Sequence, residues 1–257
     1  MGMHDQFRLD GKVAVVTGGG RGIGRGIALA MAECGADVVV TARRQEDVNA
    51  VQKEIEVLGQ RSLGISADVM DWNSMPKVLD QVVNEFGAIG IMVNNAGGNL
   101  DRQMYALPDI SLEKFDEQLH LNMKTKFWGS QQAAKRMRDG GSIINIISIA
   151  AHKPSPGFGV YSAANMGMIS MTRTLSVELA SREITVNCLA PGIIVTDMLT
   201  ETMKVSEKEA KAIFDEQIPL GRTGTPEDCA GAAVFFASPA ARWITGQFID
   251  VAGGQPN

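Results

Sequence analysis

Short hydrophobic runs alternate along this chain with segments in which hydrophobic residues recur every three or four positions. The first run, residues 13–16 (Val-Ala-Val-Val), leads into a glycine cluster, after which Ile23, Ile27 and Ala30 follow at helical spacing. A nearly continuous run is typical of a strand buried on both faces, and the spacing after it is typical of an amphipathic helix. The same reasoning predicts six further strands, over residues 36–41, 62–65, 89–93, 142–148, 184–189 and 247–251.

Helical periodicity occupies most of the chain between these runs. The longest pattern begins at Leu112, and its helix is expected to continue towards Met137 and to end at Gly140-Gly141. Another helix is predicted over residues 160–180. Helices covering both faces of the sheet are what the hydrophobic strands require.

The alternation of buried strands with amphipathic helices predicts an α/β fold, in which a doubly wound parallel sheet carries helices on both faces. The sequence has no linker, low-complexity tract or internal repeat, so a single domain is expected over residues 1–257. Residues 196–217 are rich in Met, Lys and Glu with weak periodicity, and they are expected to form a mobile segment that covers the substrate.

Composition narrows the classes of partner. The net charge is −5, and basic residues do not cluster among aromatic ones, so nucleic acid is not an expected partner. Cys34, Cys188 and Cys229 lie in apolar patterns without metal-ligand spacing and are interpreted as reduced core residues, with no metal expected. The polar residues 1–10 lack an apolar signal core, and no apolar run reaches membrane-spanning length. We therefore expect a cytoplasmic protein without a membrane partner.

The glycine cluster between the first strand and the first helix is the first candidate site. Gly18 and Gly20 permit positive φ and leave no Cβ to hold a ligand away from the backbone. The unpaired N–H groups of the following helix carry partial positive charge and attract phosphate. The alternative is a glycine-rich turn that only allows the helix to lie close to the strand, but a strand before it and a helix after it favour dinucleotide binding.

Further motifs follow the glycine cluster at characteristic positions: Asn94-Asn95-Ala96-Gly97, Asn122 in the long helix, Ser148 at a strand end, Tyr161, and Pro191-Gly192. Together they make the chain resemble the short-chain dehydrogenase/reductase family over essentially its whole length. The resemblance implies a Rossmann-type sheet of seven parallel strands with a nicotinamide cofactor across the strand ends. Residues 244–254 resemble the corresponding segment of family members that form tetramers, so the resemblance also implies a homotetramer or a dimer.

The end of the second strand bears on which nicotinamide cofactor is bound. Ala42 occupies the position where a carboxylate would bind the adenosine ribose and repel a 2′-phosphate. Arg43 and Arg44 follow, and Arg43, assisted by Arg21, suits a phosphate in a charge-assisted fork. Solvated arginines at a helix start are the alternative, although positive charge is slightly unfavourable there. We expect NADP(H) rather than NAD(H).

The resemblance also implies which residues line the cofactor. Asp68 would accept from the adenine edge with Val69 beside it, although a helix-capping aspartate is a competing interpretation. The complete set expected to contact the cofactor is Gly18, Gly20, Arg21, Gly22, Ile23, Gly24, Arg43, Arg44, Asp68, Val69, Asn95, Ala96, Gly97, Tyr161, Asn165, Pro191, Gly192, Ile194 and Thr196.

By resemblance, Tyr161 is the acid in carbonyl reduction, Ser148 holds the substrate oxygen, and Asn122 fixes a water of the proton relay. The family's lysine, four residues after the tyrosine, would bind the nicotinamide ribose and lower the tyrosine pKa, but Asn165 stands at that position. An amide still bonds a ribose hydroxyl but carries no charge, so the pKa of Tyr161 is expected near its unperturbed value of about 10.

Three hypotheses follow from this replacement. The chain is a cofactor-binding protein with little turnover, or another group such as His152 or Lys153 takes over the role, or the pocket has a non-redox or regulatory function. The intact positions Asn122, Ser148 and Tyr161 favour an oxidoreductase acting on a ketone or secondary alcohol of an apolar small molecule. The residues expected to contact the substrate are Ser148, His152, Phe158, Tyr161 and Met198.

Overall fold

A computed structural model describes residues 2–99, 101 and 103–255 of the chain. Seven strands form one parallel sheet in the order β3-β2-β1-β4-β5-β6-β7. The strands are β1 (Val13–Thr17), β2 (Asp37–Ala42), β3 (Ser62–Ser66), β4 (Ile89–Asn94), β5 (Met137–Ile146), β6 (Thr185–Pro191) and β7 (Phe248–Val251). The predicted doubly wound α/β fold is confirmed.

Helices cover both faces of the sheet. They are α1 (Gly22–Glu33), α2 (Gln45–Val57), α3 (Ser74–Phe86), α4 (Leu112–Leu119), α5 (Thr125–Ala134), α6 (Gly159–Glu178), α7 (Asp197–Met203), α8 (Glu207–Phe214) and α9 (Pro226–Ala237). Alternate residues of the inner strands enter opposite cores: Val38 and Val40 of β2 pack in the core formed with α1, α2 and α9, whereas Val39 packs in the core formed with α3 and α5. This two-sided burial explains the nearly continuous hydrophobic strands.

The predicted boundary between the long helix and the fifth strand is wrong. Helix α5 ends at Ala134, and Met137 already begins β5, with its side chain buried. Met137 pairs with Ile89 and Ser142 with Ile91, so the two glycines lie in a bulge of the strand and do not end a helix. Hydrophobic spacing misplaced this point because the buried Met137 fits a helical pattern as well as a strand.

The long helix is also interrupted where no interruption was predicted. A π turn (His120–Lys124) separates α4 from α5. Its extra residue changes the direction of the side chains on the turn, and π turns of this kind are frequent at functional sites.

The segment expected to be mobile, residues 196–217, contains α7 and α8. Ala210 of α8 is fully buried, whereas α7 has no buried residue.

No helix among the described residues is both long and apolar enough to span a bilayer.

Close contact between α1 and the glycine turn makes Gly24 sensitive to substitution. A Cβ at Gly24 would lie 2.2 Å from the Gly18 carbonyl oxygen. We expect Gly24→Ala to lower the free energy of unfolding by about 3 kcal/mol because backbone must shift to admit the methyl group. Gly231 on α9 is the matched control, since a Cβ there meets nothing within 4 Å, and Gly231→Ala should stabilise by about 0.5–1 kcal/mol. Urea denaturation measures both, and equal effects of the two substitutions would contradict the prediction.

Candidate active site

The glycine turn joins β1 to α1 at the carboxyl edge of the sheet. Gly18 and Gly22 adopt φ of +65° and +55°, a conformation that other residues rarely adopt. The residue before α1, Arg21, makes no side-chain capping bond, and the first turn of α1 has no acidic residue. The N–H groups at this helix end therefore face a position suited to a phosphate. Ile23 is half-buried beside the core beneath them.

Asn95 ties the end of β4 to this turn. Its Nδ2 donates to the carbonyl oxygens of Thr17 at 2.9 Å and Gly18 at 3.2 Å. The Thr17 hydroxyl accepts from the backbone N–H groups of Asn95 and Ala96. The loop that continues to Gly97 is thereby held rigidly beside the glycine turn.

The segment after β6 closes the same site from the other side. Gly192 N–H donates to Val251 of β7 at 3.0 Å, which fixes the backbone after Pro191. Thr196 caps the start of α7, and its methyl group lies 3.3 Å from where a Cβ of Gly22 would be. Ile194, which lies between Gly192 and Thr196 in the sequence, is buried. The structure thus brings this predicted segment onto the glycine turn.

The three arginines expected at the cofactor have different environments. Arg44 pairs with Asp47 at 2.7 Å, and Arg21 lies 3.6 Å from Glu201. Arg43 is exposed, and no described residue forms an ion pair or hydrogen bond with its guanidinium. Arg43 is thus the arginine available to an anion beyond the end of β2.

Asp68 lies beyond the neighbouring strand β3. One of its carboxylate oxygens accepts from the Met70 N–H at 2.9 Å, which forms a local turn. Helix α3 begins only at Ser74, so the helix-capping interpretation of Asp68 is wrong. Val69, next to it, packs against the core.

Asn122 lies on the π turn, fully buried, and binds the loop after β4. Its Oδ1 accepts from the Gly98 N–H at 2.8 Å, and its Nδ2 donates to the Gly98 carbonyl oxygen at 2.9 Å and to Gln118. This reciprocal pair fixes the loop against the helix. A water held by Asn122 stays a prediction.

Ser148 and Tyr161 lie near the two ends of the segment that joins β5 to α6. Ser148 begins the 3-10 turn Ile149–Ala151, its hydroxyl accepting from Ala150 N–H at 3.2 Å, and Tyr161 lies in the first turn of α6. Burial raises the pKa of Tyr161, while hydrogen bonds with the side chains of Ser148 and Asn165 act in the opposite direction. The phenol is therefore protonated at neutral pH and able to donate a proton.

Asn165 is buried one turn after Tyr161. Its Nδ2 donates to the Tyr161 carbonyl oxygen at 2.9 Å, whereas its Oδ1 is buried without a hydrogen-bond partner among the described residues. A buried acceptor without a donor is costly, and a bound hydroxyl would satisfy it.

Only some of the residues expected to contact the substrate lie together in the structure. Phe158 packs edge-to-face on Tyr161 at 6.2 Å, and the Met198 sulfur lies 2.7 Å from the position of a Cβ on Gly98. His152, in contrast, is held towards β7, with Nε2 3.0 Å from Asp250.

Sequence reasoning missed Lys126. This lysine on α5 is buried, and its Nζ donates to the Asn122 carbonyl oxygen at 3.1 Å. Burial lowers the pKa of Lys126 to about 8. The signal was its position four residues after Asn122, which places both on one face of a helix.

Comparison with known proteins identifies the family of this chain. The family model described as enoyl-(acyl carrier protein) reductase matches residues 18–255. Versicolorin reductase stcU of Emericella nidulans is 38% identical, with 99% of each chain covered. The structure of 7α-hydroxysteroid dehydrogenase complexed with NADH and 7-oxo glycochenodeoxycholic acid is 34% identical with a TM-score of 0.91, covering 99% of this chain and 98% of that one. A short-chain dehydrogenase from Burkholderia cenocepacia J2315 in complex with NADP is 34% identical with a TM-score of 0.87, covering 96% and 99%. The chain belongs to the short-chain dehydrogenase/reductase family.

Proposed function

We propose that this protein is an NADP(H)-dependent oxidoreductase that transfers hydride between the nicotinamide and a ketone or secondary alcohol of an apolar small molecule. The observation that carries the proposal is the pairing of Ser148 with a protonated Tyr161 beside the loop that Asn122 fixes. Two hydroxyls at one point are suited to bind a carbonyl oxygen and to protonate it.

The chain offers complementary groups for each part of the dinucleotide. The glycine turn and the uncapped start of α1 suit the diphosphate. The unpartnered Oδ1 of Asn165 suits a ribose hydroxyl. Arg43 suits a 2′-phosphate, and Ala42 offers no carboxylate to repel it. One structural neighbour was solved with NADH and another with NADP, so the preference for NADP(H) rests on Arg43 and Ala42.

When bound, the cofactor would supply the hydride, and the protein's residues bind and protonate the carbonyl oxygen of the substrate. In reduction, Ser148 donates a hydrogen bond to the carbonyl oxygen, and Tyr161 gives its phenolic proton to that oxygen as negative charge develops. Because the pKa of Tyr161 is raised, the acid form predominates at neutral pH, which favours reduction over oxidation.

Phe158 and Met198 provide apolar contacts on the substrate side of the site. Adaptable methionine and a flat aromatic ring suit a bulky apolar ketone. A reductase named for versicolorin and a dehydrogenase solved with a 7-oxo bile acid are among the relatives, which supports a polycyclic ketone.

Arg43 provides a direct test of the cofactor preference. We expect Arg43→Ala to raise the Kd for NADPH about 30-fold, the loss of a charge-assisted phosphate contact, and to change the Kd for NADH less than twofold. Titration calorimetry measures both. Arg138→Ala, an exposed arginine in the bulge of β5, is the control and should change neither constant. Equal weakening of both cofactors by Arg43→Ala would contradict the assignment.

Turnover tests the function itself. Oxidation of NADPH should be measured by absorbance against a panel of alicyclic and polycyclic ketones and quinones. We expect saturable reduction of at least one polycyclic ketone. NADPH binding without turnover of any carbonyl would favour the cofactor-binding, non-catalytic alternative, and failure to bind NADPH or NADH would refute both.

A further inference from the structure

Lys126 is a buried cation that the proposed function does not use. Its side chain is 3% exposed, and among the described residues its ammonium has one hydrogen-bond acceptor, the backbone oxygen of Asn122. No described carboxylate pairs with it. A buried ammonium has three protons to satisfy, and burial without a counter-charge is costly. Two of the three ammonium protons therefore have no acceptor among the described residues.

The ammonium lies at the active site. A Cβ on Gly97 would be 2.6 Å from Lys126 Nζ and 3.0 Å from Asn122 Oδ1, so Nζ lies directly against the loop after β4. This loop is the one expected to contact the cofactor.

Helix α6 passes close by on the other side. A Cβ on Gly167 would lie 2.7 Å from the Met123 sulfur, so α6 and the π turn approach closely there. Asn165 is two residues before this crossing point, and Asn122 is one residue before it on the π turn. The elements that carry Lys126 and Asn165 are therefore neighbours.

Their unmet requirements are complementary. Among the described residues, the Lys126 ammonium has one acceptor for its three N–H donors, and the buried Asn165 Oδ1 accepts no hydrogen bond. A hydroxyl accepts one hydrogen bond and donates another, so one hydroxyl placed between them would satisfy both. The other basic candidates are less suitable, because His152 is held towards Asp250 and Lys124 is exposed.

We propose that Lys126 supplies the positive charge of the active site from α5, in place of a lysine at position 165, and that Lys126 and Asn165 together bind a ribose hydroxyl of the nicotinamide cofactor. This inference rests on the proposed function. Lys126 is a positioning residue, since its ammonium would hold the nicotinamide ribose and so fix the cofactor.

Reciprocal lysine substitutions test the proposal. The variants are Lys126→Met, Asn165→Lys and the double variant, with Lys124→Met on the neighbouring exposed position as control. We expect Lys126→Met to raise the Kd for NADPH about tenfold and to lower kcat about 30-fold, with the ketone KM changed less than threefold. The double variant should recover both quantities to within about threefold of wild type. Asn165→Lys alone should bring no gain in kcat, because the site already holds its cation.

Each outcome has a distinct meaning. Lys126→Met with wild-type NADPH binding and kcat would overturn the role of Lys126 while leaving the proposed function intact. A 100-fold gain in kcat from Asn165→Lys alone would also overturn it, and this variant decides the matter even where Lys126→Met fails to fold. Wild-type protein that binds no NADPH would refute the proposed function, and the inference would fall with it. The Kd, measured by calorimetry without substrate, is independent of turnover.

Discussion

Tyr161→Phe is expected to lower kcat for ketone reduction about 1000-fold while changing the Kd for NADPH less than threefold. Removing the phenolic hydroxyl removes the proton donor, and general acids contribute about 10²- to 10⁴-fold. The ring itself remains to pack against Phe158, so the pocket keeps its shape. Steady-state kinetics with NADPH in excess give kcat, and calorimetry gives the Kd.

The chain contains two tyrosines, which provides a matched control. The hydroxyl of Tyr105 bonds to Asp101, and Tyr105→Phe should leave kcat within about twofold. A Tyr161→Phe variant that retained more than a tenth of wild-type kcat would show that another group donates the proton. Ser148→Ala would then be the next comparison.

The inner strands were predictable because they are buried on both faces, and the glycine turn because strand and helix flank it. The start of β5 was not, since Met137 continues a helical pattern and only its pairing with Ile89 makes it a strand residue. Such pairing joins residues about fifty positions apart, which local periodicity does not contain. The π turn is equally invisible, because one extra residue in a helix leaves no compositional trace.

The residues of the candidate site likewise divide into those that sequence motifs identify and those that only the tertiary structure identifies. Tyr161, Ser148 and Asn122 were found through motifs, whereas the distinction between Arg43 and Arg44 needed the position of Asp47. Lys126 was overlooked because a lysine in a helix is usually on a solvated face. Its burial is a property of tertiary packing.

Lys126→Met is expected to stabilise the protein by about 2 kcal/mol at pH 7. The pKa of Lys126 is lowered from 10.5 in a solvated lysine to about 8 in the folded protein, which corresponds to a cost of about 3 kcal/mol for keeping the ammonium buried. Methionine has similar length and no charge, so the substitution removes this cost. Loss of the hydrogen bond to Asn122 offsets about 1 kcal/mol of the gain.

The effect should depend on pH in one direction. Below about pH 8 the lysine is charged in both folded and unfolded states, and the full cost is present. Between about pH 8 and 10.5 only the unfolded state holds the proton, so wild-type stability rises with pH relative to the variant. Above 10.5 both states are neutral and the advantage of the variant disappears. Urea denaturation at pH 7 and pH 10 measures the difference, with Lys124→Met at an exposed position as the control.

A variant less stable than wild type at pH 7 would show that the ammonium is already well paired in the free protein. The expected combination is a protein that is more stable, yet slower and weaker in binding NADPH. If Lys126 had only a structural role, Lys126→Met would lower the stability of the protein and leave kcat and the Kd for NADPH unchanged. On this account the buried charge of Lys126 destabilises the free protein and gains a partner only when the cofactor binds. Its presence is then explained by function and not by folding.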